Sequence, residues 1–115
     1  MRLQYDIIRV MIDRGQEVCV RLFGDFDESA RHDLREALSV AANDNIAPRF
    51  VVDLQETRFL GSEAIGALLS GCLRAQEAGK WVQIVNAHGV VRTVLQVTGV
   101  LELFDAPPGT CREIA

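Results

Sequence analysis

A serine at position 62 stands where its side chain could carry an anion. The apolar run at residues 50–54 predicts a buried strand, a polar link follows at residues 55–58, and helical spacing opens directly after Gly61 and Ser62. A serine just before a helix normally caps it, because its hydroxyl accepts hydrogen bonds from the first free backbone N–H groups. The same positive helix end favours a negative charge, so Ser62 could also be a phosphate acceptor. The residues at this junction allow both roles.

The remaining reactive residues do not form a pattern typical of an enzyme or a metalloprotein. Cys19, Cys72 and Cys111 are widely spaced and include no C-x-x-C pair, and His32 and His88 lie far apart in the sequence. This spacing argues against a metal site and a disulfide framework, and we interpret Cys19 and Cys72 as small core residues. We interpret both histidines as solvated, and the chain has no P-loop motif for ATP. We therefore expect no catalytic site, no metal and no cofactor.

The length and composition indicate one globular domain, residues 1–115. Of the 115 residues, 49% are hydrophobic and 24% are charged, and the formal net charge is −4. An acidic chain without a basic run is not expected to bind nucleic acid. No apolar stretch approaches the roughly 20 residues of a membrane-spanning helix, and the N-terminal residues lack the order of a signal peptide. We expect a cytoplasmic protein without membrane insertion.

Two strand-like runs near the N terminus are predicted to form a hairpin. They are residues 5–11 and 17–23, with a turn signal at residues 13–16. In the second run one alternating set of side chains faces the core, and Arg21 lies on the side nearer water. The chain therefore begins with a pair of antiparallel strands.

Helical spacing predicts two helices on either side of the central strand. Asp27 stands at the N-cap position of the first helix, and Asn43 and its neighbours end it. The second helix ends near Gly79, a typical C′ glycine. The apolar faces are Ala30, Leu34, Ala37, Leu38 and Ala41 in the first helix, and Ile65, Leu68, Leu69, Cys72 and Leu73 in the second.

The last part of the chain predicts a strand at residues 81–85, a helix at residues 90–97, a short final strand at residues 100–104 and a tail at residues 106–115. Trp81 opens its strand and is interpreted as a core residue. The alternation of strands and helices favours βαβ units. The order β-β-α-β-α-β-α, with an optional last strand, predicts an α/β domain. Its mixed sheet has four to five strands, with the hairpin at the N terminus and helices packed against it.

The central stretch resembles the signature of a known family. The string V-D-L-x-x-x-x-F-x-x-S-x-x-x-G-x-L-L is present as Val52, Asp53, Leu54, Phe59, Ser62, Gly66, Leu68 and Leu69. It is similar to that of STAS domains of the anti-sigma-factor antagonist (anti-anti-sigma factor) family, which act in bacterial partner switching. The G-D-F-D segment at residues 24–27 resembles a turn of the same family, with Asp25 and Asp27 at its acidic positions. The resemblance covers about residues 5–105 and implies the architecture predicted above.

The resemblance implies a regulatory function without catalysis. In this family a partner kinase phosphorylates the first serine of the loop, and Ser62 falls on that serine. The unphosphorylated domain binds an anti-sigma factor, a serine-protein kinase that itself holds ATP, and phosphorylation releases it. Asp53 could otherwise form a carboxylate pair with Asp27, but the matching residue of the family is structural. The implied partner-binding residues are Asp25, Asp27, Phe59, Leu60, Gly61, Ser62 and Glu63.

Three departures from the family pattern favour a second hypothesis. Gly61 stands where the family has aspartate, Glu63 where it has serine or threonine, and Ala64 where it has glycine. Glu63 is a normal stabilising residue for a first helical turn, but it also puts a permanent negative charge beside Ser62. The alternative is a STAS scaffold that is never phosphorylated and is a subunit of a larger assembly, such as a lipid-transport or sensory complex. The sequence predicts neither the identity of the partner nor the oligomeric state.

Overall fold

The computed structural model describes residues 4–44 and 46–104. Cys111 and the predicted tail at residues 106–115 lie outside these residues, as does Asn45. The elements in chain order are β1 (Tyr5–Ile12), β2 (Glu17–Phe26), a 3-10 helix (Glu28–Ala30), α1 (Arg31–Ala42), β3 (Arg49–Asp53), β4 (Thr57–Leu60), α2 (Ser62–Glu77), β5 (Trp81–Val85), α3 (Gly89–Val97) and α4 (Val100–Phe104).

The N-terminal hairpin is confirmed, and its second strand is longer than predicted. β1 and β2 pair antiparallel, with Ile7 opposite Leu22. Residues 13–15 between them have φ values of 57°, 56° and 84°, the left-handed conformation that tight hairpin turns require. β2 continues to Phe26, so its end reaches the loop that precedes α2.

The strands form the mixed sheet that the sequence predicts, with five members. β2 pairs antiparallel with β1 and parallel with β3, and β3 pairs parallel with β5. β4 pairs parallel with the last residues of β2, beyond the part that β3 covers. The carboxyl ends of β2 and β4 and the start of α2 therefore meet at one end of the sheet.

The hydrophobic core lies between one face of the sheet and the helices. Side chains alternate along β2, so Val18, Val20 and Leu22 are buried in the core while Arg21 is exposed, as predicted. The helices contribute Leu34, Leu38, Leu68, Cys72, Val91, Leu95, Leu101 and Phe104 to the same buried cluster. Cys19 and Cys72 are both buried, as predicted. Cys72 belongs to this cluster, whereas Cys19 lies on the other face of β2 and outside it.

The close packing of α1 on α2 depends on a glycine. A Cβ at Gly71 would lie 2.6 Å from the Cβ of Leu38, closer than real side chains approach. The missing side chain therefore lets the two helices come together, and this contact sets the groove between them. Gly79, with φ of 88°, follows the C-cap of α2 as predicted.

The predicted polar link at residues 55–58 is wrong in its second half, because β4 begins at Thr57. Thr57 is 1% exposed, and its hydroxyl donates a hydrogen bond to the carbonyl of Leu22 at 2.7 Å. Only Thr57 and Leu60 face inward in this four-residue strand. So short a segment has too little alternation to identify it from sequence.

The strand predicted at residues 100–104 is the helix α4. Val100, Leu101 and Phe104 are its buried residues, a spacing that fits one face of a helix rather than one face of a strand. Gly99, with φ of 81°, separates α4 from α3 and allows the change of direction.

Two predicted core residues are instead exposed. Trp81 is 42% exposed, because the inward position at the start of β5 belongs to its neighbour Val82. Leu73 is 41% exposed, whereas Cys72 beside it is fully buried. In both cases the adjacent residue occupies the core position.

Candidate partner-docking surface

Ser62 is the first residue of α2 and is exposed to solvent. Its predicted role as N-cap is wrong, because Gly61 holds that position with φ of −76° and ψ of 170°. The carbonyl of Gly61 accepts the first helical hydrogen bond from the N–H of Ile65 at 2.9 Å. The Ser62 hydroxyl forms none of the hydrogen bonds found within the described residues. It is therefore an accessible hydroxyl without a structural task.

The loop before Ser62 is tied to the end of β2. The N–H of Gly61 donates to the carbonyl of Phe26 at 2.8 Å. A Cβ at Gly61 would lie 3.4 Å from that carbonyl oxygen and 3.5 Å from the ring of Phe59, which are ordinary contact distances. Close packing alone therefore does not require glycine here, and the aspartate that the family pattern has would meet no backbone clash.

Asp25 and Asp27 lie next to this loop, and each is already engaged. Asp25 pairs in register with Phe59 across β2 and β4, and its carboxylate is 3.5 Å from Nε of Arg58. Asp27 is the N-cap of the 3-10 helix, as the sequence predicts for the first helical segment. Its carboxylate accepts from the hydroxyl and the N–H of Ser29, which lower the pKa of Asp27 in that order of importance.

Phe59 and Leu60 have opposite environments although they are neighbours. Phe59 is 46% exposed, so its ring offers apolar contact area beside Gly61. Leu60 is 4% exposed and belongs to the core. The side chain of Leu60 therefore anchors the loop to the hydrophobic core and does not line the exposed surface.

Glu63 has a partner that the sequence did not indicate. Nη1 of Arg31 in α1 lies 3.0 Å from Oε1 of Glu63 in α2, and both side chains are about half exposed. Arg31 and Arg35 of α1, together with Ser62, Glu63 and further residues of α2, line a groove of about 370 Å³. In the sequence, Arg31 lies outside the apolar face of α1. The sequence does not indicate that this polar side of α1 faces the start of α2.

The other candidate residues considered in the sequence, Asp53, the two histidines and Cys72, have structural environments of their own. The carboxylate of Asp53 accepts from the N–H of Gln55 and the side-chain amide of Asn86, both at 3.0 Å, so it supports a turn. His32 is exposed and lies 3.7 Å from Glu36, and a ring nitrogen of His88 lies 2.8 Å from the carbonyl of Gln55. Burial raises the pKa of Cys72 to about 12, so its thiol stays protonated at neutral pH.

Residues 4–44 and 46–104 offer neither a metal site of protein side chains nor a membrane-spanning helix. These residues contain no cluster of three or more histidine, cysteine, aspartate or glutamate side chains suited to a metal ion. Within the same part of the chain, no helix has the length and apolar character needed to cross a membrane.

Comparisons with known proteins agree with the fold and with the family resemblance. The family model described as "Mlab, STAS domain" matches residues 12–105. A STAS-domain containing protein of Pseudomonas aeruginosa is 38% identical over 93 residues, which cover 78% of this chain and 87% of that protein.

Solved structures share the architecture at lower identity. The phosphorylated form of the Bacillus cell fate determinant SpoIIAA has a TM-score of 0.68 and 21% identity, with 94% of this chain and 97% of that chain covered. An anti-sigma factor antagonist from Mycobacterium paratuberculosis has a TM-score of 0.66 and 24% identity, with 95% and 92% covered. At these identities the two structures establish the fold alone.

Proposed function

Because the chain belongs to the STAS-domain family, we propose that it is a non-enzymatic regulator that binds another protein through the surface around Ser62. We call Asp25, Phe59, Gly61, Ser62 and Glu63 the Ser62 surface; Asp27 holds the adjoining 3-10 helix in place. The observation that carries the proposal is the Ser62 hydroxyl, which is exposed at the start of α2 while the backbone of Gly61 performs the capping.

The proposed partner is an anti-sigma factor that is also a serine-protein kinase and that holds ATP itself. The exposed ring of Phe59 supplies the apolar contact that an interface core needs, and Asp25 and Glu63 supply charge around it. Both SpoIIAA and the mycobacterial protein that share this fold are anti-sigma factor antagonists, which supports this class of partner.

In this proposal phosphorylation of Ser62 ends the complex. A phosphate adds about −1.5 to −2 charges and three acceptor oxygens at a position that is otherwise neutral. Placed within a closely packed interface, that charge must be desolvated or repelled, and either effect weakens the complex. The unphosphorylated chain is then the binding form.

The test is phosphorylation in vitro with candidate kinases whose genes lie near the gene for this protein. We expect an ATP-dependent mass gain of one phosphate that maps to Ser62 and is absent from Ser62→Ala. Ser70→Ala is the matched control, since Ser70 is another exposed serine of α2. Modification at another residue, or none with several such kinases, would contradict the proposal.

The second candidate is a constitutive scaffold that uses the same surface without phosphorylation. The contact between Glu63 and Arg31 favours it, because a permanent carboxylate already lies beside Ser62 and is held there. Under this hypothesis Ser62→Ala leaves partner binding and cellular output unchanged. Under the switch hypothesis Ser62→Ala stays bound to its partner even when ATP is supplied.

A further inference from the structure

The groove between α1 and α2 brings two arginines next to Ser62. It is lined by Arg31 and Arg35 of α1 and by Ser62, Gly66 and Ser70 of α2, among others. Residues four apart lie on the same face of a helix, so each helix contributes one row of side chains. The arginine row of α1 therefore lies opposite the row of α2 that begins at Ser62.

Small residues keep this groove open. A Cβ at Gly66 would meet no atom within 4 Å. The α2 residues that line the groove are small apart from Glu63: Ser62, Gly66, Ala67 and Ser70. The resulting volume is about 370 Å³. A phosphate group on Ser62 therefore has room to turn toward α1.

Before Ser62 is phosphorylated, the groove has more positive than negative side chains. Arg31 is in contact with Glu63 at 3.0 Å. Arg35 forms none of the ion pairs found within residues 4–44 and 46–104. The groove thus holds two guanidinium groups and one carboxylate, and an additional anion would balance the charge.

We propose that this groove is a binding site for the phosphate of phosphorylated Ser62, with Arg31 and Arg35 as its partners. The inference rests on the proposed function, because it requires the modification of Ser62. Guanidinium groups present paired N–H donors that suit phosphate oxygens. A phosphate has more charge and more acceptor oxygens than a single carboxylate, so it displaces Glu63 from Arg31.

This binding changes the surface at two places at once. The phosphate turns along α1 instead of projecting straight outward, and Glu63 is released into solvent as an unpaired charge. The partner therefore meets a rearranged pair of acidic groups after phosphorylation, rather than one added group on an unchanged surface.

The test uses full-length protein with phosphoserine encoded at position 62, so that no kinase is needed. The phosphate pKa is measured by ³¹P NMR titration in the otherwise unchanged chain and in Arg31→Ala, Arg35→Ala, Glu63→Gln and Arg58→Ala. Arg58 is the matched control, because it is an exposed arginine that contacts Asp25 and does not line the groove. Circular dichroism of each variant verifies that it is folded.

We expect a phosphate pKa about half a unit or more below that of phosphoserine in an unstructured peptide, since nearby cations favour the dianion. Arg31→Ala and Arg35→Ala should each raise it, Glu63→Gln should lower it further, and Arg58→Ala should leave it unchanged. A phosphate that titrates alike in all five proteins would overturn the inference, as would an equal response to Arg58→Ala. Because the phosphoserine is encoded, this result is independent of whether a kinase modifies Ser62.

Discussion

Arg31 and Glu63 are 32 positions apart in sequence, yet their side chains meet at 3.0 Å and join the start of α1 to the first turn of α2. Both are about half exposed, so water screens the attraction. The pair is therefore placed to position charge beside Ser62 rather than to supply much of the stability of the fold.

The stability of this ion pair can be measured with a double-mutant cycle. We expect Arg31→Ala, Glu63→Ala and the double variant to give a coupling energy below about 1 kcal/mol, as for other exposed pairs. Urea unfolding at low and high salt provides the measurement, and the coupling should shrink with added salt. A coupling well above this value that does not respond to salt would contradict the assignment.

Phe59 and Leu60 allow binding to be separated from folding. Leu60→Ala should lower the free energy of unfolding by about 2–5 kcal/mol, because Leu60 is 4% exposed in the core. Phe59→Ala should cost much less stability, since the ring is 46% exposed, and should weaken binding to the partner. Urea unfolding and calorimetric titration with the partner measure the two effects. Unchanged partner binding by folded Phe59→Ala would exclude the ring from the interface.

We expect alanine substitutions at two glycines of α2 to have opposite effects on the stability of the protein. Gly71→Ala should destabilise the protein by about 1–3 kcal/mol, because the new Cβ would lie 2.6 Å from Leu38. Gly66→Ala should be neutral or stabilising by up to about 1 kcal/mol, since nothing lies within 4 Å and alanine favours a helix. Thermal unfolding of the two variants, compared with the parent chain, gives the answer. Similar losses in both would show that the contact with Leu38 is not the cause.

The carboxylate of Asp27 predicts a pH-dependent contribution to stability. Its pKa is lowered by its hydrogen bonds from Ser29, so the folded state favours the ionised form. That stabilisation is present above the ordinary pKa, 3.8, and is lost as the pH falls through the lower pKa of the folded state.

Asp27→Asn isolates this charge, because asparagine keeps an oxygen that can cap a helix. The variant should be less stable than the parent near neutral pH, and the difference should shrink as the pH falls below the ordinary pKa of 3.8. Urea unfolding at several pH values measures the difference, and Ser29→Ala should show part of the same trend. A loss that is equal at all pH values would mean that the charge of Asp27 has no part in it.

Local sequence patterns were sufficient for the main architecture. The hairpin, the central strand and the two long helices each have a turn residue or a clear period, and Asp27 and Gly79 indicate helix ends correctly. β4 and α4 have only four and five residues, so their periods are too short to distinguish strand from link or helix from strand.

The finer features of the site depend on tertiary contacts that one sequence does not reveal. The pairing of Arg31 with Glu63 requires α1 and α2 to pack closely side by side, which Gly71 allows because it leaves room for Leu38. The exposure of Trp81 depends on which residue of β5 faces the core. The position of Ser62 was predicted to within one residue, but that residue decides whether the hydroxyl or the backbone of Gly61 begins the helix.

That one-residue difference has a consequence for how this protein could change over generations. Since Gly61 starts α2 by its backbone, the chain can exchange the serine for another small residue, or gain and lose a modification there, with little effect on its folding. Regulation at this position can therefore be acquired, silenced or restored in a lineage while the architecture stays as it is.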